Sequence, residues 1–380
     1  MKVCSLSLEN YRNIKKMDLV FEDGVNIIYG DNAQGKTNII EAISLCNQKK
    51  SFRTNHDVDL INFDEKTAKV EMTYQSKKRV NKAVLTLERD RIKAAGAKRT
   101  SYINDLKLKD GLALTEDFTR VIFAPSHLSL IKEGPDLRRK FLDECITEIS
   151  PKYREALLQF NRVLFQRNAF LKNYEAQKIM DSWQIRAFLN SWNELMAKYG
   201  AFIHFMRQKY LKEFLKHAKE IYKGFAGENE ILDVKYRSTM FSDDLLECED
   251  VKKLQKIYED TLLADCEDDL KASVTQKGVQ RDDIEITISG SPARAFASQG
   301  QQRSAVLAFK LAQCQILYNA MGEYPVIILD DVLSELDNSR KEFILNKFKD
   351  TQVIITACAL TDEELSLGGK HFHIKDGGLV

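Results

Sequence analysis

The segment Gly30-Asp31-Asn32-Ala33-Gln34-Gly35-Lys36-Thr37 constrains this chain more than any other. It follows the apolar run Val25-Asn26-Ile27-Ile28-Tyr29, which reads as a buried strand. It precedes Asn38-Ile39-Ile40-Glu41-Ala42-Ile43, whose apolar spacing reads as a helix. Strand, glycine loop and helix supply the context that a G-x4-G-K-T phosphate-binding loop requires. Gly30 and Gly35 permit a tight turn that aims backbone N–H groups at an anion, and the helix N-terminus adds partial positive charge at the same spot. Asp31, Asn32, Ala33 and Gln34 form the loop, and Asn38 lies in the first turn of the helix. In this motif Lys36 reaches the β- and γ-phosphates of ATP and the Thr37 hydroxyl sits on Mg²⁺.

A second feature lies 294 positions beyond Lys36. Val326-Ile327-Ile328-Leu329-Asp330-Asp331 is a run of four apolar β-formers ending in two carboxylates, which describes a buried parallel strand delivering acids to its C-terminal tip. Mg²⁺ takes hard oxygen ligands and keeps waters, so Thr37 and Asp330 suffice as its protein contacts. Asp331 is placed to orient or deprotonate an attacking water, since phosphoryl transfer needs positioning and charge compensation above all. One nucleotide site built from both ends of the chain makes the middle an insertion. The expected division is a nucleotide-binding head from 1–124 and 275–380, with a helical arm at 125–274.

The head reads as a parallel sheet with an antiparallel sheet beside it. Val3 to Leu8 and Met17 to Phe21 alternate as short strands around Asn10-Tyr11-Arg12-Asn13, and three more alternating runs lie between Val70 and Leu108. Asn104-Asp105 divides the last run with residues that tolerate a left-handed hairpin turn. The arm reads as helices. Leu137, Phe141, Cys145 and Ile149 mark one face, Pro151 begins a second helix, and apolar residues from Ile185 to Tyr222 hold three-four spacing in a third. About 40 residues at 1.5 Å each reach roughly 60 Å, with Gly200 as an expected kink. Its aromatic residues read as helix packing rather than a base-stacking platform. Near the C-terminus, Ser298-Gln299-Gly300-Gln301 leads into another helix and reads as a second phosphate clamp. Ser334-Glu335-Leu336-Asp337 and a final buried strand ending at Thr356 follow.

Composition narrows less. The chain has 57 basic and 56 acidic residues, so its net charge of +1 argues neither for nor against nucleic acid. Cations cluster locally at Arg89, Arg91, Lys93, Lys98 and Arg99, a hairpin that either contacts a phosphate backbone or is a solvated edge discouraging aggregation. Seven scattered cysteines without C-x-x-C fit reduced thiols in the cytoplasm. No apolar stretch is long enough for a signal peptide or a membrane span, so membrane partners are not expected.

Taken jointly, these motifs resemble the ATPase head of ABC-type proteins and, more narrowly, the RecF family of bacterial recombination and repair ATPases related to SMC heads. The resemblance runs nearly end to end: Asn10-Tyr11-Arg12-Asn13, residues 30–37, Arg138-Arg139-Lys140-Phe141-Leu142-Asp143, Arg281-Asp282-Asp283, residues 298–303 and residues 329–337. It implies an α/β fold, an ABC-type ATPase head with an inserted long-helix arm domain. It implies ATP and Mg²⁺ at a site to which Arg12, Asn13 and Thr356 also belong, with Thr356 where ABC transporters carry a switch histidine. It implies that Ser298, Gly300, Gln301 and Asp337 act in trans on ATP held by a second subunit, giving an ATP-dependent homodimer. Weak ATPase activity, binding to duplex DNA and single/double-strand junctions, and RecR and RecO partners in loading RecA follow from the same resemblance. Two positions depart from the family pattern: Pro125-Ser126-His127-Leu128 stands where Pro-Glu-Asp-Leu is usual, and Gln280 stands where histidine is usual. The competing expectations are another SMC- or ABC-class ATPase, and a DNA gap clamp with negligible turnover.

Overall fold

The computed structural model describes residues 1–380 apart from 47–50, 78, 91–95, 109–117, 178–181, 227–228, 334–335, 337, 350, 361–364 and 366–367. Arg91, Lys93 and Asp337 therefore lie outside the described residues. The chain opens with the hairpin β1 (Lys2–Tyr11) and β2 (Ile14–Val20), then β3 (Val25–Tyr29), the phosphate loop and α1 (Lys36–Leu45). β4 (Thr67–Ser76), β5 (Arg79–Arg89), β6 (Ala97–Ile103) and β7 (Leu106–Lys107) form an antiparallel meander. From Ala68 to Ser76 β4 buries every second residue, the pattern of a strand with one face on a core. Asn104 and Asp105 take φ of 47° and 67°, the left-handed pair that a two-residue hairpin needs.

β8 (Arg120–Phe123) precedes the helical stretch α2 (Ser129–Lys132), α3 (Pro135–Ile149), α4 (Pro151–Gln177) and α5 (Ser182–Ala226). β9 (Leu232–Arg237), α6 (Val251–Ala264), α7 (Cys266–Ala272), β10 (Asp283–Ile288), β11 (Ser291–Pro292) and α8 (Ala293–Phe296) continue it. The chain ends with α9 (Gln299–Met321), β12 (Val326–Asp330), α10 (Asn338–Lys347), β13 (Val353–Ala357), β14 (Lys370–Lys375) and β15 (Gly378–Leu379).

Two units result, one of Met1–His127 with Leu317–Val380 and one of Leu128–Ile316. Residues 275–316, expected in the head, fall in the helical unit. The physical reason is that β10 pairs antiparallel with β9, Asp283 opposite Arg237 through Ile288 opposite Leu232. In the first unit a six-stranded sheet runs β15-β14-β3-β13-β12-β8, and its five longer strands are parallel. β12 and β13 are buried at every residue, as a central parallel strand must be. The antiparallel sheet β2-β1-β4-β5-β6-β7 shares a core with it, into which α1 sends Ile39, Ile40 and Ile43.

In the second unit α5 is 45 residues long, about 67 Å at 1.5 Å per residue. It runs through Gly200 without interruption. A Cβ there would lie 2.5–2.9 Å from the Tyr258 ring and hydroxyl, so the glycine admits α6 against α5. Residues 250 to 272 hold two helices, α6 and α7, and the Asp250 carboxylate caps α6 by accepting from the amides of Lys252 and Lys253. The α5 aromatics Tyr210, Phe214 and Tyr222 are buried, and Phe214 meets Phe141 and Phe309 at ring distances of 5.9 and 5.3 Å.

Buried arginines tie this unit together. Arg138 donates two bonds to the Asp283 carboxylate at 2.8 and 2.9 Å, and Arg139 donates to the Asp282 carbonyl at 2.6 Å. Arg207 donates to Asp143, to the Tyr153 hydroxyl and to the Val279 carbonyl, and Arg167 to Asp269, Thr275 and Asn193. The motifs at 138–143 and 281–283 are thus two sides of one structural contact. Gln280 donates its amide to the Lys277 carbonyl in the same stretch. No helix among the described residues is long and apolar enough to cross a membrane.

Candidate nucleotide site

The phosphate loop turns sharply because of its backbone. Gly30 has φ 150°, and a Cβ on it would lie 2.1 Å from the Ile374 carbonyl oxygen, so no side chain fits between the loop and β14. Ala33 and Gly35 also take positive φ, 66° and 117°, and Gly35 is the N-cap of α1. Lys36 is buried and donates its ammonium to the carbonyls of Gly30 and Asp31 at 2.6 and 3.0 Å. The charge is held over the loop with one N–H still to give. Thr37 and Asn38 are half-buried, whereas Asp31, Asn32 and Ala33 are exposed.

Asn13 holds this loop from the side. Its Oδ1 accepts from the Asn38 amide at 2.7 Å and its Nδ2 donates to the Ala33 carbonyl at 3.4 Å. Arg53 adds a guanidinium bond to Asn38 Oδ1 at 2.6 Å. The turn between β14 and β15 holds the loop from below: the Gly377 amide donates to the Gln34 carbonyl at 3.1 Å, and the Asp376 amide to the Gln34 side chain. Asn32 accepts from the exposed Cys358 thiol at 3.1 Å.

The paired acids stand at the tip of β12. Because β13 lies between β3 and β12, its residue Thr356 is beside Asp330 in register. The Thr356 hydroxyl donates to Asp330 Oδ1 at 2.8 Å and accepts from the Asp331 amide at 2.9 Å. Burial raises the Asp330 carboxyl above its ordinary pKa; the Thr356 bond opposes this, Asp331 adds to it, and Arg53 and Lys36 oppose it. Asp331 adopts φ 53°, a left-handed conformation that aspartate tolerates better than most residues, and the chain leaves the strand there.

Two of the expected contacts have partners within the chain. Arg12, expected at the nucleotide, donates two bonds to the fully buried Glu41 carboxylate at 2.6 and 2.7 Å. Glu41 also receives the Ser51 hydroxyl. Arg12 therefore anchors α1 to the β1–β2 turn, and a carboxylate buried in the first helix is what requires it. In the basic hairpin, Arg89 donates to the carbonyls of Glu65 and Asn62, and Arg99 forms a two-bonded pair with Asp57 at 3.0 Å. Both cations are half-buried and bonded to partners within the chain, and Lys98 is exposed.

Arg53 and the β14–β15 turn were not read from the sequence. Arg53 sits in a loop with no local signature. The turn did carry one, since Asp376-Gly377 between alternating residues is a hairpin signal.

The signature residues lie in the helical unit. Ser298 and Gln301 form a reciprocal capping box at the start of α9: the Ser298 amide donates to the Gln301 side chain at 2.8 Å, and the Gln301 amide donates to Ser298 Oγ at 3.2 Å. The Gln301 amide group also donates to Glu230 at 3.0 Å. Ser298 and Gly300 are exposed, and so is Phe296 one turn earlier.

Fold and site together define an ABC-type head of the RecF, RecN and SMC class, and a profile described as RecF/RecN/SMC N terminal domain matches residues 2–372. DNA replication and repair protein RecF of Clostridium novyi (strain NT) is 35% identical over 380 residues, 99% of each chain. The protein of the same name from Clostridium botulinum (strain ATCC 19397 / Type A) is 37% identical over 370 residues, 97% of this chain and 96% of that one. A solved structure of the recombination mediator protein RecF-ATPrS in the RecFOR pathway superposes with a TM-score of 0.88 at 34% identity, over 100% of this chain and 97% of that chain. A RecF-ATP structure gives the same TM-score and identity. The chain belongs to the RecF family.

Proposed function

We propose that this chain is an ATP-gated DNA-binding protein of recombination, repair and replication restart. ATP joins two copies head to head, and slow hydrolysis releases them. Its DNA is duplex at gaps or single/double-strand junctions, and it works with RecR- and RecO-type mediators to help load the RecA recombinase. The names of its relatives and the nucleotides in the solved RecF structures support this reading.

Lys36 and the loop amides bind the phosphates, and Asn13, Arg53 and Gln34 keep the loop in shape. The donor set suits Mg²⁺, because the Thr37 hydroxyl and the Asp330 carboxylate are hard oxygens. When bound, the ion neutralises charge on the phosphates. Thr356 orients Asp330, and Asp331 positions the attacking water. A carboxylate shorter than glutamate and a threonine in place of a switch histidine suit slow turnover.

One observation carries the shared site. Gly300 is exposed, its φ is not left-handed, and a Cβ on it would meet nothing closer than Ser298 Oγ at 3.9 Å. Nothing among the described residues requires glycine there, which suits close approach by a phosphate of another copy to the N-terminus of α9.

Light scattering with ATP, ADP and no nucleotide tests the reading, with dimer expected in ATP alone. Ser298→Arg should bind ATP as a monomer with unchanged affinity and fail to dimerise. Mixing it with Lys36→Ala should restore one composite site. Normal ATP-driven dimerisation of Ser298→Arg would replace the shared site with a self-contained one.

A further inference from the structure

The wet face of α5 carries Lys209, Lys212, Lys216, Lys219 and Lys223, all exposed. Their three-four-three-four spacing places the five side chains within an arc of about 80° on a helix of 3.6 residues per turn. The opposite arc holds Tyr210, Leu211, Phe214, Ala218, Ile221 and Tyr222, all buried. Lys219 pairs with Asp233 at 3.0 Å, whereas Lys209, Lys212 and Lys216 form no ion pair among the described residues. Two exposed acids flank the arc, Glu220 and Glu213, and Glu213 is engaged by His217 at 3.0 Å. The ladder is one continuous helix, so its charges are held in line over about 21 Å at 1.5 Å per residue.

We infer that this ladder is a binding surface for the backbone of duplex DNA, with Lys209, Lys212 and Lys216 contacting successive phosphates. The inference rests on the DNA-binding reading above and adds a surface apart from the β5–β6 hairpin, where Arg89 and Arg99 are bonded to partners within the chain. A lysine recurs about every 5 Å along the helix, against one phosphate per 3.4 Å along each strand of a duplex. Lysine is a compact charge without the guanidinium fork that reads guanine, so the contact is independent of sequence. Between Lys209 and Lys223 the arc has no aromatic residue on which unpaired bases could stack, which favours duplex over single strand. It has no apolar anchor of the kind that centres a protein interface, which favours DNA over an acidic protein.

The test uses the full-length chain with ATP and Mg²⁺, a fluorescent blunt duplex, and anisotropy titrations between about 50 and 200 mM salt. The triple variant Lys209→Gln, Lys212→Gln, Lys216→Gln should flatten the slope of log K against log salt by about 2.7 and weaken binding by roughly 10²-fold at the lower salt. Its ATP affinity and melting temperature should match wild type. The corresponding triple arginine variant should keep the wild-type slope. An unchanged slope in the glutamine variant, beside a wild type that binds, overturns the ladder and leaves the DNA reading standing. A wild type that binds no duplex at any salt overturns both. Loss of binding to single strands or to polyglutamate, with duplex binding intact, also overturns the inference.

Discussion

The Thr356 hydroxyl donates to the Asp330 carboxylate at 2.8 Å across neighbouring strands that meet Lys36 only through the fold. β13 stands between the phosphate-loop strand and the acid-bearing strand, so its last residues lie beside both. A hydroxyl at that point gives to the first acid's side chain and receives the second acid's amide. Thr356→Val keeps the shape and removes both bonds. ATP affinity should stay within a few-fold while hydrolysis falls about 10- to 100-fold, the usual effect of losing a partner that orients a ligand. Thr356→Ser should recover most of the rate in a steady-state phosphate-release assay.

Gly377 makes the C-terminal turn part of the nucleotide site. Its φ is 72°, and a Cβ would lie 2.4 Å from the Asn13 carbonyl oxygen. Gly377→Ala should therefore displace Asn13 and the loop it holds, raising the dissociation constant for ATP tenfold or more by calorimetry. Gly290 is the control, because its φ is 79° and nothing lies within 4 Å of its Cβ position. Gly290→Ala carries backbone strain of order 1 kcal/mol and should leave ATP affinity unchanged.

Arg207 is buried, and its charge is answered by Asp143 at 2.8 Å. Removing one partner of such a pair typically costs about 3–5 kcal/mol, because the other charge is left buried alone. Arg207→Met should lower the melting temperature accordingly, and adding Asp143→Leu should recover part of the loss. Recovery measured by calorimetry would show that the unpaired acid, rather than lost packing, is the larger cost.

His204 is packed against Tyr236 and Phe241, and neither ring nitrogen has a hydrogen-bond partner among the described residues. Burial, with Arg207 nearby, lowers its pKa from 6.5 to about 4. Between those values the unfolded chain binds a proton that the folded chain refuses. Its contribution is therefore complete above pH 6.5 and is lost as pH falls toward 4. The loss amounts to at most about 3–4 kcal/mol at 1.36 kcal/mol per pKa unit. His204→Phe should destabilise less than wild type on going from pH 7 to pH 5, as read by the difference in melting temperatures.

Much of this protein is local enough to read directly. The phosphate loop, the strand ending in Asp330-Asp331, the Asn104-Asp105 turn and the helices from Pro135 and Pro151 depend on neighbours within a few positions, where backbone geometry and side-chain period dictate the outcome. Partnership across the chain is not local. That Arg12 serves Glu41, that Arg89 and Arg99 find partners within the chain, that Arg53 reaches Asn38, and that the last ten residues brace Gln34 and Gly30 all depend on which strands the sheet brings side by side. The same holds for residues 275–316, which join the helical unit because a hydrogen-bonded ladder between β9 and β10 outweighs proximity in sequence. Sequence alone determined which chemistry each segment can carry. Tertiary structure decided which charges face one another and which remain for a ligand, because a cation's role is set by the nearest acid in space.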